Sequence, residues 1–324
     1  MEMKSATTQS TNPVLGWAAM CMALVTWASF SLSMRAIGAS ALTTGDVALL
    51  RFGVPALLLL PLLPRQIVTL RAVPRVQGLM IAVGAGLPFF LLVAAGGHLT
   101  SAAHVSALVA GTAPLAVAIL SRLLMGTRAG YLPGLAIIIG GIVLLVAGLG
   151  QLNTGMIAGA GLLLCGSLLW GTYTLAMRLR AISPLTCLML VTYPSFVGIV
   201  LLMLTGAVET HLASVDTRQI ALFGIVQGIG TGLASTLVYT VAVRHLGAIR
   251  GATMGALAPA IVTLAAIPLL DEQPSVLTMF GVVTVALGVA LANTRQKAGS
   301  SSAAAPFPSR WQRMFQGGDT SQKA

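Results

Sequence analysis

Two stretches of this sequence pair a tryptophan with a hydroxyl side chain four residues later, at Trp27 and Ser31 and again at Trp170 and Thr174. Residues four apart lie on the same face of an α-helix. An indole ring can stack on an organic solute while the hydroxyl forms a hydrogen bond to it. The two pairs therefore predict a solute path lined from both stretches. The alternative interpretation is that the tryptophans pack between helices or anchor them at a membrane surface.

Three further polar residues interrupt long apolar runs. Arg51 lies about seven residues inside its run, roughly 10 Å deep for a helix. A charged group at that depth in a membrane is costly and is by default functional or paired. A functional Arg51 would attract a carboxylate; the structural alternatives are extension to the lipid headgroups or an ion pair with Asp46. Gln227 and Tyr239 must find a partner or face water, so we predict that both line the path.

Glycines and prolines in the apolar runs predict how the helices pack and bend. Gly224, Gly228 and Gly232 are spaced four residues apart, which lets a neighbouring helix approach closely. Pro114 and Pro259 are predicted to bend helices around the path, because proline removes a backbone donor and clashes with the preceding turn.

The sequence lacks the residue patterns of catalysis and metal binding. The four histidines do not lie near a cysteine or an acid at metal-binding spacing, and the three cysteines form no CxxC motif. Neither a P-loop nor the HExxH and GxSxG motifs occur. We therefore predict that the chain is not an enzyme and needs neither a metal nor another cofactor.

The composition identifies the environment in which these residues lie. Of the 324 residues, 56% are hydrophobic and only 8% are charged, whereas soluble domains carry about 25% charged residues. The mean hydropathy is +0.94. These values exclude a soluble enzyme and a disordered protein. The net charge of +11 does not indicate nucleic-acid binding, because the basic residues are scattered between apolar runs. The lipid bilayer is the expected surrounding partner.

Ten apolar segments, each close to the length of about 20 residues that crosses a bilayer, can be marked along the chain. The sequence therefore predicts an all-α polytopic membrane protein with ten transmembrane helices. Residues 1–13 are predicted to be a cytoplasmic N-terminal segment and 295–324 a mobile, basic cytoplasmic tail. The segments lie near residues 14–35, 44–63, 77–97, 102–124, 130–149, 155–177, 184–206, 219–242, 250–270 and 275–293.

The distribution of charge predicts the orientation of these segments. With the N-terminus in the cytoplasm, all but three of the 18 lysines and arginines fall on the cytoplasmic side, as the positive-inside rule requires. The three exceptions are Arg35, Arg51 and Arg218. The opposite face holds Asp46, Glu209, Asp216, Asp271 and Glu272. We therefore predict that both termini are cytoplasmic.

An internal repeat divides the chain into two halves, residues 14–150 and 151–294. Trp27 and Trp170 begin similar stretches. Pro114 and Pro259 each follow an alanine, and the number of residues between these two prolines is nearly the same as that between the two tryptophans. Five segments per half is an odd number, so the second half begins on the opposite side of the membrane. The halves are therefore predicted to be inverted repeats, an architecture typical of secondary transporters with a substrate site near the midplane.

The sequence resembles the EamA-type transporters of the drug/metabolite transporter superfamily, up to about residue 295. The resemblance rests on motifs that recur in order, each of them weak by itself. One departure is Thr127, where the family usually has a glutamate; the equivalent position in the second half keeps Glu272. The motifs are Leu49-Leu50-Arg51-Phe52, Thr100-Ser101-Ala102-Ala103, Ala113-Pro114-Leu115, His245-Leu246-Gly247-Ala248, Ala258-Pro259 and Leu269-Leu270-Asp271-Glu272.

The resemblance implies a secondary transporter that exports amino acids or other small metabolites across a bacterial inner membrane. It also implies a cavity lined by the first, third, fourth, sixth, eighth and ninth helices. The competing interpretations are a lipid flippase or small-lipid carrier of the same fold and, less in keeping with the residues, a membrane-embedded enzyme. A flippase would share the fold, so the sequence does not separate it from a metabolite exporter.

Overall fold

A computed structural model describes residues 12–126, 132–148, 154–179, 182–246, 251 and 254–295 of the chain. Within these ranges the chain consists of helices and short connections, without β-strands. In the first half the helices are α1 (Pro13–Ala36), α2 (Thr44–Leu59), α3 (Leu63–Arg71), α4 (Arg75–Ala85), α5 (Leu87–Leu99), α6 (Ala102–Val109), α7 (Ala113–Met125) and α8 (Leu132–Ala147). The predicted cytoplasmic segments lie almost entirely outside the described residues, as does the predicted boundary near residue 150.

The second half contains α9 (Thr154–Leu179), α10 (Pro184–Leu204), α11 (Thr217–Phe223), α12 (Ser235–Leu246), α13 (Ala258–Leu270) and α14 (Val276–Arg295). Residues Gly224–Ala234, between α11 and α12, form a π-helix, which we call the π segment. Helices of this kind are rare, and where they occur they frequently mark functional sites.

The predicted apolar segments correspond to these helices. Seven of the described helical stretches are long and apolar enough to cross a membrane, and three more are apolar but shorter. The shorter ones are α8, α13 and α14. The all-helical membrane class is therefore confirmed, while the crossing number of ten and the inverted relation of the halves stay predictions.

Side chains that cap the helix starts explain where several helices begin. The Thr43 hydroxyl accepts a hydrogen bond from Asp46 N, and the Asp46 carboxylate accepts one from Thr43 N, forming a capping box at α2. Ser183 caps α10, where Pro184 occupies the first turn. Proline is favoured there because the first backbone N–H groups of a helix have no partner within it.

The two predicted halves pack against each other through several helix pairs. Helix α1 packs against α12 and α13, α2 packs against the π segment, and α8 packs against α14. Each pair joins a helix before residue 148 to one after residue 154. The halves therefore share one helical assembly with a common apolar core.

Glycines let α8 and α14 approach each other closely. A Cβ built at Gly141 would lie 2.8 Å from the Val285 backbone N, and one at Gly281 would lie 2.8 Å from the Leu145 backbone N. Small residues at such contacts allow helix backbones to touch, which is how helices associate in lipid.

We expect Gly141→Ala to lower the melting temperature of the detergent-purified protein by several degrees, because the added methyl group meets backbone atoms of α14. Overpacking of this kind costs about 1–3 kcal/mol. Gly140→Ala is the matched control, since a Cβ at Gly140 meets nothing within 4 Å. Equal melting temperatures for the two variants would contradict the close contact.

The π segment approaches α2 in a similar way. A Cβ at Gly228 would lie 2.9 Å from the Leu50 carbonyl oxygen, and one at Gly232 would lie 2.8 Å from the Arg51 carbonyl oxygen. At Gly224 the nearest atom is a Leu50 methyl group at 4.0 Å. Two of the three glycines spaced four residues apart therefore make the close approach that the spacing predicts.

Candidate functional site

A cavity of about 180 Å³ lies between helices from both halves of the chain. Cavities of about 150 Å³ with apolar walls hold benzene, so this space suits a small organic solute. The resemblance to the transporter family names six lining helices and omits the second and seventh segments. Both line the cavity: α2 contributes Arg51 and Phe52, and α10 contributes Cys187, Leu188, Val191 and Thr192.

The two tryptophans singled out from the sequence both line this cavity. Trp27 packs against Tyr239, with ring centroids 5.0 Å apart. Trp170 packs against Phe89 at 5.4 Å and against Tyr173 at 5.0 Å. Tilted ring pairs at such distances are favourable. The cavity therefore has aromatic surface contributed by α1, α5 and α9.

The hydroxyls of the two predicted pairs differ in position. Ser31 is buried and lines the cavity. Thr174 is not among the lining residues, and its hydroxyl donates a hydrogen bond to the Trp170 carbonyl at 2.8 Å. A threonine in a helix often bonds to the carbonyl four residues earlier. The proposed stripe on α9 therefore presents Trp170 and not Thr174 to the cavity.

Arg51 lies at the cavity wall and is only 8% exposed. Its Nη1 donates hydrogen bonds to Gln227 Oε1 at 2.7 Å and to Thr231 Oγ1 at 2.9 Å. Its Nε, also buried, has no hydrogen-bond partner among the described residues. The π segment therefore holds one end of the guanidinium and leaves other donors without protein acceptors.

Aromatic rings surround the same guanidinium. Its Cζ lies 4.9 Å from the ring centre of Phe30 and 5.6 Å from those of Phe52 and Phe90. Cations within about 6 Å of a ring face are attracted by its quadrupole, more strongly where water is excluded. These rings therefore help a buried cation to persist without a carboxylate beside it.

The predicted structural alternative, an ion pair of Arg51 with Asp46, is not present. The Asp46 carboxylate accepts hydrogen bonds from Thr43 N, from the Thr210 hydroxyl at 2.6 Å and from His211 N. It is committed to the start of α2 and to the loop after α10.

Gln227 and Tyr239 do not line the cavity but contact side chains that do. Gln227 is fully buried, accepts from Arg51 and donates to the Ser33 hydroxyl. Tyr239 supports Trp27 by ring contact. Neither is among the lining residues, so both are placed as residues that position a lining side chain.

The two prolines predicted to bend helices stand at helix starts. Pro114 is the second residue of α7, after a break at residues 110–112, and Pro259 is the second residue of α13. The break in the fourth apolar segment thus precedes its proline. Ala110 and Ala258, next to these starts, line the cavity.

Several lining residues were not singled out from the sequence. Phe30, Phe89 and Tyr173 complete the aromatic surface, and Thr231 bonds Arg51. Thr231 follows Gln227 by four residues, a spacing that could have associated the two. The aromatic residues carried no such signal, because isolated rings in apolar runs are ordinary packing residues.

Glu272 connects three segments away from the cavity. Its carboxylate accepts from Ala102 N at 3.1 and 3.2 Å and lies 3.3 Å from Arg35 Nε. An acid at a helix N-terminus accepts hydrogen bonds from the free N–H groups and interacts favourably with the positive end of the helix dipole. The acid retained in the second half therefore caps α6 of the first half.

Within the part of the chain that the structure describes, no group of three histidine, cysteine or acidic residues could hold a metal ion. The chemistry of the cavity is that of one cation, several hydroxyls and aromatic rings. Such a set can bind and orient a solute by charge, hydrogen bonds and stacking.

Comparison with known proteins gives a family match over part of the chain and a fold match over most of it. The EamA-like transporter family matches residues 157–294, so the resemblance predicted from the sequence is confirmed over that range. No curated protein matches the chain. Nine chains of solved structures match the fold. One of them, known from a crystal structure, aligns over 89% of this chain and 100% of its own, with a TM-score of 0.57 and 17% identity. At that identity the likeness shows the fold alone.

Proposed function

We propose that the chain is a secondary transporter that moves small organic solutes across the bacterial inner membrane. The observation that carries the proposal is the cavity, which both halves line and which places a buried arginine and two tryptophans around one small space. The family match over residues 157–294 supports transport as the activity. Amino acids and other small metabolites are the proposed substrates, and export is the proposed direction.

The proposed mechanism is alternating access. The solute enters the cavity, stacks on the aromatic surface and forms hydrogen bonds to the lining hydroxyls. The two halves then rock about this site and expose it to the other side. The helix pairs that join the halves, such as α2 with the π segment, are the contacts that such a motion would rearrange.

The experiment that tests the function is counterflow in proteoliposomes. Vesicles that contain the purified chain and an unlabelled amino acid should accumulate the labelled amino acid transiently, and protein-free vesicles should not. Scrambling of a fluorescent phospholipid in the same vesicles tests the flippase alternative. Lipid scrambling without counterflow of any tested solute would overturn the proposal.

The proposed direction has its own measurement in cells. Overproduction of the chain should raise tolerance to a toxic amino-acid analogue and lower its content in the cells. If overproducing cells retain every tested amino acid and metabolite as well as controls do, the exporter proposal fails.

The proposed topology predicts the sides of four reporter fusions. Fusions after Gln151 and Asp216 should report the periplasm, and fusions after Arg71 and Arg180 should report the cytoplasm. The physical reason is the excess of arginine and lysine on the side that holds residues 71 and 180. A cytoplasmic signal after Gln151 would contradict five crossings in the first half and with them the inverted repeat.

A further inference from the structure

We propose that the cavity selects small aromatic carboxylates that carry one negative charge and no ammonium group, in preference to zwitterionic amino acids and to cations. This inference rests on the proposed transport function and narrows its substrate class. The charge of the lining, the unpaired donors of Arg51 and the size of the aromatic space support it.

No acid among the described residues forms an ion pair with Arg51. Glu272 forms an ion pair with Arg35, and Glu209 lies 4.0 Å from the imidazole of His211. Asp46 is occupied by backbone and hydroxyl donors. A buried cation without a partner is costly, and the surrounding rings offset only part of that cost. A bound anion would supply the missing charge.

The guanidinium also has the donors that an anion needs. Its two bonds to Gln227 and Thr231 both leave from Nη1, while Nε has no partner in the described part of the chain. Nη2 also forms no hydrogen bond to a described residue, so this edge of the guanidinium keeps its donors. A carboxylate fits such an edge with two parallel hydrogen bonds once the edge turns toward the cavity, because Nε itself is buried in this structure. Gln227, itself bonded to Ser33, fixes the guanidinium from the other end.

An ammonium group would find no matching partner in the same space. Arg51 is the one charged residue among the described residues that line the cavity, and none of the acids lines it. An amino acid would place its ammonium near the guanidinium, since its two charged groups share one carbon atom. Like charges at such separation repel. The lining therefore favours the carboxylate that lacks the amine.

The remaining wall suits one aromatic ring. Phe30, which contacts the guanidinium, stacks at 6.0 Å on Phe89, and Phe89 contacts Trp170. The aromatic surface thus runs from the cation to the opposite tryptophan. A cavity of about 180 Å³ holds one ring and a short chain, since about 150 Å³ holds benzene.

Three ligands of similar shape test the selection. 3-Phenylpropionate, phenylalanine and phenethylamine share the ring and the chain and differ in charge. Calorimetric titration of the detergent-purified full chain should give a Kd for 3-phenylpropionate at least about tenfold below that for phenylalanine, as for a charge-assisted pair. Phenethylamine should bind more weakly than either.

Two variants link the selection to Arg51. Arg51→Gln should weaken binding of 3-phenylpropionate about tenfold or more and remove its advantage over phenylalanine. Arg51→Lys keeps the charge without the planar fork. Its Kd for 3-phenylpropionate should lie between those of Arg51→Gln and the unmodified chain. Arg218→Gln is the matched control, because Arg218 is exposed and outside the cavity, and it should bind all three ligands as the unmodified chain does.

The comparison in the unmodified chain decides the inference even where a variant fails to fold. If phenylalanine or phenethylamine binds as tightly as 3-phenylpropionate, the inference is wrong while the transporter proposal stands. If none of the three binds but amino-acid counterflow occurs, the inference is again wrong. Loss of both binding and counterflow would remove the proposed function itself.

Discussion

Replacing Trp170 with alanine is expected to lower counterflow about tenfold while the protein still inserts in the membrane. Trp170 lines the cavity and contacts Phe89 and Tyr173, so its loss removes a large stacking surface and releases two neighbouring rings. Trp170 is half-buried. A fully buried tryptophan contributes about 150–250 Å² of contact area, and the loss of part of this area accounts for a tenfold effect. Trp27→Ala should act in the same direction, since Trp27 also lines the cavity.

Trp17→Ala is the matched control. Trp17 lies on α1, as Trp27 does, but it is 43% exposed and does not line the cavity. The rates of counterflow, divided by the amount of protein in the vesicles, are the quantities to compare. Equal rates for the variants of Trp17, Trp27 and Trp170 would identify the two cavity tryptophans as packing residues and overturn the site assignment.

The variant Gly232→Ala is expected to reduce substrate affinity about tenfold and to lower the melting temperature. The added methyl group would lie 2.8 Å from the Arg51 carbonyl oxygen and 2.9 Å from Pro55 Cγ. The π segment must therefore move away from α2. That movement lengthens the hydrogen bonds from Arg51 to Gln227 and Thr231, which hold the guanidinium at the cavity. Overpacking costs about 1–3 kcal/mol, and a cost in this range is enough to reduce the substrate affinity about tenfold.

Gly224→Ala separates this effect from a general effect of alanine in the helix. Gly224 is the first residue of the same π segment, and a Cβ there meets only a Leu50 methyl group at 4.0 Å. Counterflow should be measured over a range of substrate concentrations for both variants. An apparent affinity that falls equally in the two, or in neither, would show that the contact of Gly232 with α2 does not position Arg51.

The features predicted best were those that depend on composition along the chain. Apolar runs near 20 residues predicted the helices, because a backbone in lipid must satisfy its own hydrogen bonds. Arg51 was predicted to be a functional or paired residue, because a charge inside an apolar run is costly in a membrane. The structure places Arg51, Trp27, Ser31 and Trp170 at one cavity.

Hydrogen bonds between particular side chains of distant segments were not predicted. The pairing of Arg51 with Gln227 joins residues 176 positions apart, and helical spacing within one segment carries no information about such a pair. The α-helical period also gives no sign that residues 224–234 form a π-helix. The bond of the Thr174 hydroxyl to the Trp170 carbonyl was not predicted either, because spacing on a helix face does not show that a hydroxyl bonds to the carbonyl four residues earlier.

In the proposed alternating-access cycle, the charge of Arg51 would make the electrical state of the protein depend on whether the cavity is occupied. An empty cavity would carry one positive charge through the reorientation of the halves, whereas a cavity that holds a monoanion would carry none. A membrane voltage of 100 mV acts on one charge with about 2.3 kcal/mol if the charge crosses the full field. The voltage would then change the rate at which the empty protein reorients but not the rate at which the protein with a bound anion does. Net flux should therefore depend on voltage, whereas exchange of one bound anion for another should not.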